Sequence, residues 1–179
     1  MNKELDNFYS ILQKRYSVRK YSTKPVPKEV LDRILAVGHE AASAANRQPW
    51  AFIICEGESK KALDEVFYRD GFKDAPVAIA ALSKPDEAWE RRQDGSNYAC
   101  VDVTIAVTEM ILAATAEGLG TCWIAAFDLD KAKDILDVPD NMDIVTLFTL
   151  GFLPDGEKQP ERNRKPIEDI IFKGKYKGR

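Results

Sequence analysis

A chain of 179 residues with 45% apolar and 31% charged side chains has the balance of a soluble domain, long enough to bury roughly 70% of its unfolded surface. A net charge of -3 excludes a generally basic protein built for nucleic acid or anionic lipid, and leaves room only for local clusters that hold a phosphate. The three cysteines, Cys55, Cys100 and Cys122, are odd in number and widely spaced, which excludes a disulfide framework. Cys55 and Cys122 sit in apolar runs and read as small buried thiols.

From the N-terminus, Met1 to Leu12 scatters charge through its length and has no apolar core segment, so no signal peptide is expected and the protein is read as cytoplasmic. Leu5 to Lys14 predicts a short amphipathic helix, with Leu5, Phe8, Ile11 and Leu12 at helical spacing. Val18 to Pro27 reads as an extended loop, and Pro27 suits the first position of the next helix. That helix carries Val30, Leu31, Ile34, Leu35 and Val37 and runs into the small residues Ala41 to Ala45. Strands are expected at Trp50–Cys55, Pro76–Leu82, Thr121–Ala125 and Ile144–Leu150, with a helix over Ser59–Tyr68. Ser83 to Ser96 is polar and reads as a mobile excursion, and a substrate lid is expected within Phe67 to Tyr98.

Tyr98 to Leu119 is apolar on most of its circumference but carries Asp102, Glu109 and Glu117, so it reads as a buried helix rather than a membrane span. Gly118 or Gly120 ends it. Asp128 predicts the N-cap of a helix through Leu136. Beyond Pro154 the chain is basic and proline-rich, yet it holds Ile167, Ile170, Ile171, Phe172 and Tyr176, so the arm is expected to pack on its own domain or on a partner. The mixture of helices with few, short strands gives an α+β class or a three-layer α/β arrangement.

Several familiar chemistries are absent. There is no glycine-rich dinucleotide loop, no Walker loop and no nucleophile elbow. His39 is the only histidine, which excludes a metal site built on several imidazoles and reads as a surface or capping residue. The chemistry is therefore expected from an organic cofactor.

Four clusters carry information. Arg15, Tyr16, Ser17 and Arg19 lie where a helix ends; arginine forks match phosphate oxygens, although cations also favour a helix C-terminus for its own sake. Ala41 to Ala45 lets another body approach the backbone, and Ser43, Asn46 and Gln48 add polar groups beside it, as a planar heteroaromatic ring requires; a plain helix end and turn has the same composition. Gly118 to Phe127 joins a glycine-ended helix to a small, apolar strand end, and Arg162 and Arg164 supply a second, sequence-distant arginine pair.

Taken in series, RYSVRKYSTKPVPKEVLDRIL at Arg15–Leu35, AASAANRQPWAFII at Ala41–Ile54, GLGTCWIAAF at Gly118–Phe127, LFTLGFLP at Leu147–Pro154 and RNRKPIEDII at Arg162–Ile171 resemble the FMN-dependent nitroreductase family over nearly the whole chain. The resemblance implies a single domain over 1–179 with 154–179 as an extended C-terminal arm. It also implies an α+β, three-layer α/β/α sandwich around a mostly antiparallel sheet, and an intertwined homodimer with two FMN molecules at its interface. By the same resemblance Arg15, Tyr16 and Ser17 are expected at the FMN phosphate and Arg19 at the carbonyl edge of the ring. Ser43 and Asn46, with Gln48, are expected from the other subunit. Trp123, Ile124 and Ala125 are expected along the isoalloxazine, and Arg164, with Arg162, over the phosphate. The implied activity is ping-pong transfer of electron pairs from NAD(P)H to a nitroaromatic, quinone or other conjugated acceptor, with no protein acid or base and no metal required. A flavin reductase or dehalogenase of the same superfamily, or a non-catalytic flavin-binding protein, would carry the same motifs. The chain departs from the family at Tyr16, where many relatives have arginine, at Ala42, where many have proline, and at Ala125, where some longer relatives have glutamate.

Overall fold

The computed structural model describes residues 2–176. Met1 and residues 177–179, the last three of the C-terminal arm, lie outside the described part. In chain order the main elements are α1 (Lys3–Lys14), α2 (Lys28–His39), β1 (Trp50–Glu56), α3 (Gly57–Leu63), β2 (Val77–Ser83), β3 (Glu90–Arg91), β4 (Ser96–Asn97), α4 (Ala99–Ala116), β5 (Gly120–Ile124), α5 (Leu129–Ile135) and β6 (Asp143–Gly151). The order within the main sheet is β1-β2-β6-β5, and every ladder in it is antiparallel. A parallel bridge from Ser17 to Thr121 lays the segment after α1 beside β5.

The pleat divides the core into two layers. Val77, Ile79 and Ala81 of β2 face α2 and α4, while Ala78, Ala80 and Leu82 face the layer that contains α3 and α5. A register shift between Ala81 and Leu82 changes the parity of β6, so Ile144 and Leu147 reach the same layer. With both faces covered, the central strand β2 is buried throughout and reads as a continuous apolar run. The fold is the expected α/β/α sandwich.

Helix α4 is the main support of one layer. Val103, Ala106, Val107, Met110, Ile111 and Ala114 form a stripe at helical spacing and are all buried. By length and composition it is the one helix among the described residues that could cross a membrane, but its apolar stripe is the core. Its end is as expected: Gly118 takes φ 80° just beyond the C-cap residue Glu117, a conformation that needs no Cβ. Asp128 caps α5 by accepting the Lys131 N–H at 3.1 Å.

Four expectations change. Pro27 is the N-cap of α2 rather than its first helical residue. The helix foreseen over Ser59–Tyr68 stops at Leu63, because the chain turns through 3-10 geometry at Asp64–Val66 and then pairs Phe67 with Phe127. The third main strand is Gly120–Ile124, so Ala125 lies beyond it. Ser83 to Ser96 is built rather than loose. Its β3–β4 hairpin is tied by Arg91, which holds Asp94 and Ser96 and lies over the Tyr98 ring. His39 is exposed in the last turn of α2 beside Glu40, and Cys55 and Cys122 are buried.

Candidate functional site

The site begins where α1 ends. Three carbonyls there, those of Leu12, Gln13 and Arg15, converge on one guanidinium nitrogen of Arg162 at 2.9, 2.6 and 2.5 Å and share its two N–H groups. The Gln159 amide donates to Gln13 O at 2.9 Å. The C-terminal arm therefore caps α1, with a cation at the negative end of the helix. The chain then extends along β5, where Val18 N donates to Thr121 O at 2.8 Å. Tyr16 and Val18 of this segment pack on the core, and Tyr16 also lines one cavity with Arg15 and another with Ser17 and Arg19. Tyr21 locks the segment: its hydroxyl donates to Val18 O at 3.0 Å and pairs with the Thr149 hydroxyl at 2.8 Å, and burial pushes its ionisation far up.

Arginines from both ends of the sequence meet here. The Arg15 guanidinium is held below its ordinary range, first by burial and then by repulsion from Arg162 and Arg164. Among the described residues none of Arg15, Arg19, Arg162 and Arg164 forms a salt bridge with a carboxylate. Arg19 donates only to Ser17 O, at 3.2 Å, and Arg164 only to its neighbour Asn163 O, also at 3.2 Å. Clustered guanidinium groups with no salt-bridge partner suit an anion, and Glu157 and Asp70 are the carboxylates that line the cavities beside them. The Tyr16 hydroxyl is shielded from water and has no partner among the described residues; burial and, next, Glu157 raise its ionisation.

Two adjoining cavities share Arg19. One of about 190 Å³ is walled by Arg19, Cys122, Trp123, Ile124 and Ala125, together with Tyr68, Arg69, Phe72 and Ala126. The other, of about 590 Å³, is lined by Tyr16, Ser17, Arg19 and Lys20 and by Tyr68–Gly71 and the arm residues Glu157, Lys158 and Pro160. A third cavity, of about 270 Å³, lies against Arg15 and Tyr16 and the Gly118–Gly120 turn. The structure thus brings together Arg15, Tyr16, Ser17, Arg19, Trp123, Ile124, Ala125, Arg162 and Arg164.

Tyr68 and Arg69 fall within the stretch expected to hold the substrate lid but were not singled out as site residues, since Tyr68 was expected to end a helix. The glycine that follows them, Gly71, is required. A Cβ at Gly71 would lie 2.1 Å from Arg19 O, so the Arg69–Phe72 turn can close on the Arg19 backbone only without a side chain there. Burial raises the Cys122 thiol, and Arg19 and Arg69 partly offset this.

Ser43, Asn46 and Gln48 are elsewhere. Their loop feeds β1 at one edge of the sheet, whereas Arg15–Arg19 flank β5 at the other; at about 4.8 Å per strand the separation is roughly 15–20 Å. Gln48 is committed within the loop: its N–H donates to Ser43 Oγ at 3.0 Å and its amide to Asn46 O and Oδ1 at 3.1 Å. Among the described residues no group of histidine, cysteine, aspartate or glutamate could hold a metal ion.

The nitroreductase family model matches residues 12–70 and 64–152, which takes in the α1 end, the cavity walls and the sheet. The chain belongs to the nitroreductase family. This family of oxidoreductases includes an NADH dehydrogenase of Thermus thermophilus, 29% identical over 89% of this chain and 92% of its own length. The crystal structure of a nitroreductase family protein from Clostridium difficile superposes with a TM-score of 0.88, at 29% identity, over 98% of this chain and 100% of the other. A likeness also reaches the iodotyrosine deiodinase of Nematostella vectensis, 22% identical over 96% of this chain and 76% of the relative.

Proposed function

We propose that this chain is a cytoplasmic FMN-dependent oxidoreductase that works as a homodimer and passes electron pairs from NAD(P)H to nitroaromatic, quinone or similar conjugated acceptors, alternating the two substrates at one site. The observation that carries the reading is the convergence of Arg15, Arg162 and Arg164, none of them salt-bridged to a carboxylate among the described residues. A flavin phosphate supplies the missing charge. Arg15, Ser17 and Arg164 would hold it, with the Tyr16 hydroxyl, which has no partner among the described residues, beside them. Arg162 would act mainly by fixing the arm to α1.

When bound, FMN supplies the two-electron redox chemistry, so the protein needs no acid or base of its own. The residues of the chain supply position and charge. Arg19 and Arg69 would place positive charge along the smaller cavity, where a planar ring fits against Trp123, Ile124 and Ala125. Ser43 and Asn46 cannot serve their own chain's cavity from the opposite edge of the sheet, and in a two-fold dimer they would serve the partner's. Exposed apolar groups on α1 (Leu5, Phe8, Tyr9), α4 (Val101) and the arm (Ile167, Ile170, Ile171, Tyr176) favour such a dimer. On this reading residues 1–179 form one FMN-binding domain whose arm, 154–179, embraces the partner.

The likeness to a deiodinase favours one second reading, a reductive dehalogenase of the same superfamily; turnover with nitroaromatic, quinone, free flavin and halophenol acceptors separates the two. The deciding measurement for the cofactor is the visible spectrum of the purified protein before and after NAD(P)H. The expected result is a yellow protein with about one FMN per chain, bleached by the donor. A colourless preparation that takes up no added FMN rules the reading out, and a yellow one inert to NAD(P)H makes the chain a flavin carrier.

A further inference from the structure

Asp102 is a buried charge that the proposed chemistry leaves unused. Its side chain, in the first turn of α4, is 1% exposed. One oxygen accepts the Ala44 N–H at 3.0 Å. The other is equally shielded and has no partner among the described residues. A carboxylate kept in the core with half its accepting capacity idle is a poor way to stabilise a fold. Its value must lie in what the satisfied oxygen holds.

It holds the Ser43–Gln48 loop. Ala45, Asn46 and Gln48 have φ of 50°, 55° and 51°, so three side-chain-bearing residues of this short stretch take the left-handed conformation. The bonds inside the loop, Asn46 N to Ser43 O and Gln48 to Ser43 and Asn46, tie the loop to itself but not to the domain. Asp102 makes the side-chain bond that fastens it to α4. Within this arrangement Ser43 Oγ and Asn46 Oδ1 accept from Gln48, and among the described residues the Ser43 hydroxyl proton and the Asn46 amide hydrogens have no acceptor.

We propose that Asp102 is a positioning residue of the flavin site: through the Ala44 N–H it holds the Ser43 and Asn46 donors in the strained loop that addresses the flavin of the other copy. The assignment rests on the reading that these two residues serve a flavin ring. Asp102 touches no ring itself.

Three substitutions test it. Asp102→Ala deletes the acceptor, and Asp102→Asn keeps one. Ala44→Pro deletes the N–H from the other side; Ser43 is extended (φ -140°, ψ 156°), as a residue before proline should be, and the start of a helical turn accepts proline. Dissociation constants of FMN and riboflavin are read by fluorescence titration of the apo-protein, with the visible circular dichroism of bound flavin and the apo melting temperature. Asp102→Ala and Ala44→Pro should weaken both flavins alike, by about tenfold, since one hydrogen bond to a charged group is lost and the loop addresses ring rather than phosphate. Both should alter the flavin dichroism, whereas Asp102→Asn should stay within about threefold of wild type with its dichroism intact. If Asp102→Ala does not fold, the other two decide. Unchanged affinity in Ala44→Pro, an Asp102→Asn variant that binds flavin tenfold worse, or a loss confined to FMN overturns the assignment while wild-type binding still supports the flavin reading. Wild-type protein that binds neither flavin overturns both.

Discussion

Replacing Arg164 by alanine separates phosphate binding from folding. Arg164 is exposed, donates among the described residues only to the carbonyl of its neighbour Asn163, and repels Arg15. Its removal should therefore leave the apo melting temperature unchanged or slightly raised. With FMN the balance reverses. A hydrogen bond from a guanidinium to a phosphate oxygen contributes roughly 1.5–3 kcal/mol, so the FMN dissociation constant should rise between about tenfold and a hundredfold. Riboflavin has no phosphate, and its affinity should not move. The wild-type preference for FMN over riboflavin should also shrink as salt is raised, because exposed charges are screened within about 10 Å at 0.1 M. Arg162→Ala is the contrast: it strips three carbonyls at the end of α1 of their donor, so it should lower the melting temperature and weaken both flavins. Equal loss of both flavins in Arg164→Ala, or no loss of FMN, refutes a phosphate role for this arginine.

Gly71→Ala would place a Cβ 2.1 Å from Arg19 O; overpacking of this kind costs about 1–3 kcal/mol, so thermal unfolding should begin several degrees lower, with weaker flavin binding as Arg19 is displaced. A melting temperature equal to wild type would mean that the turn does not press on Arg19. The hairpin β3–β4 should loosen in acid. The Arg91 guanidinium holds Asp94 down to about 2, so the stabilisation it lends is present above the ordinary carboxylate value and disappears as pH falls from about 4 through 2. Hydrogen-exchange protection at Ser96, whose N–H donates to Asp94 at 3.1 Å, should follow that fall and be flat with pH in Asp94→Asn. Finally, light scattering after size-exclusion should find a dimer for the intact chain and a monomer for a chain ended at Pro154, since the arm carries Ile167, Ile170, Ile171 and Tyr176 exposed. A monomeric intact chain fully loaded with FMN would refute the shared site.

The sequence alone determined what depends on local periodicity and on the chemistry of short stretches. Continuous apolar runs identified the four strands of the main sheet, and a long stretch apolar on most of its circumference identified α4, because these patterns are imposed by burial along one element. Asp128 and Gly118 marked element ends because capping is a property of a few adjacent residues. The arginine clusters were visible as clusters.

Only the tertiary structure decided which of them meet. Arg162 and Arg164 approach Arg15 because the arm crosses the end of α1, across almost the full length of the chain, and no spacing rule records that distance. The helix expected through Tyr68 broke at Leu63 because pairing of Phe67 with Phe127 and the close fit of Gly71 on Arg19 outweigh local helix preference, and that break brought Tyr68 and Arg69 to the cavity. Asp102 looked like one polar residue on an apolar helix. Its partner, the Ala44 N–H, lies 58 positions earlier in the chain, and which carboxylate is buried against which backbone group is settled by packing, where the cost of an unpaired polar atom is set.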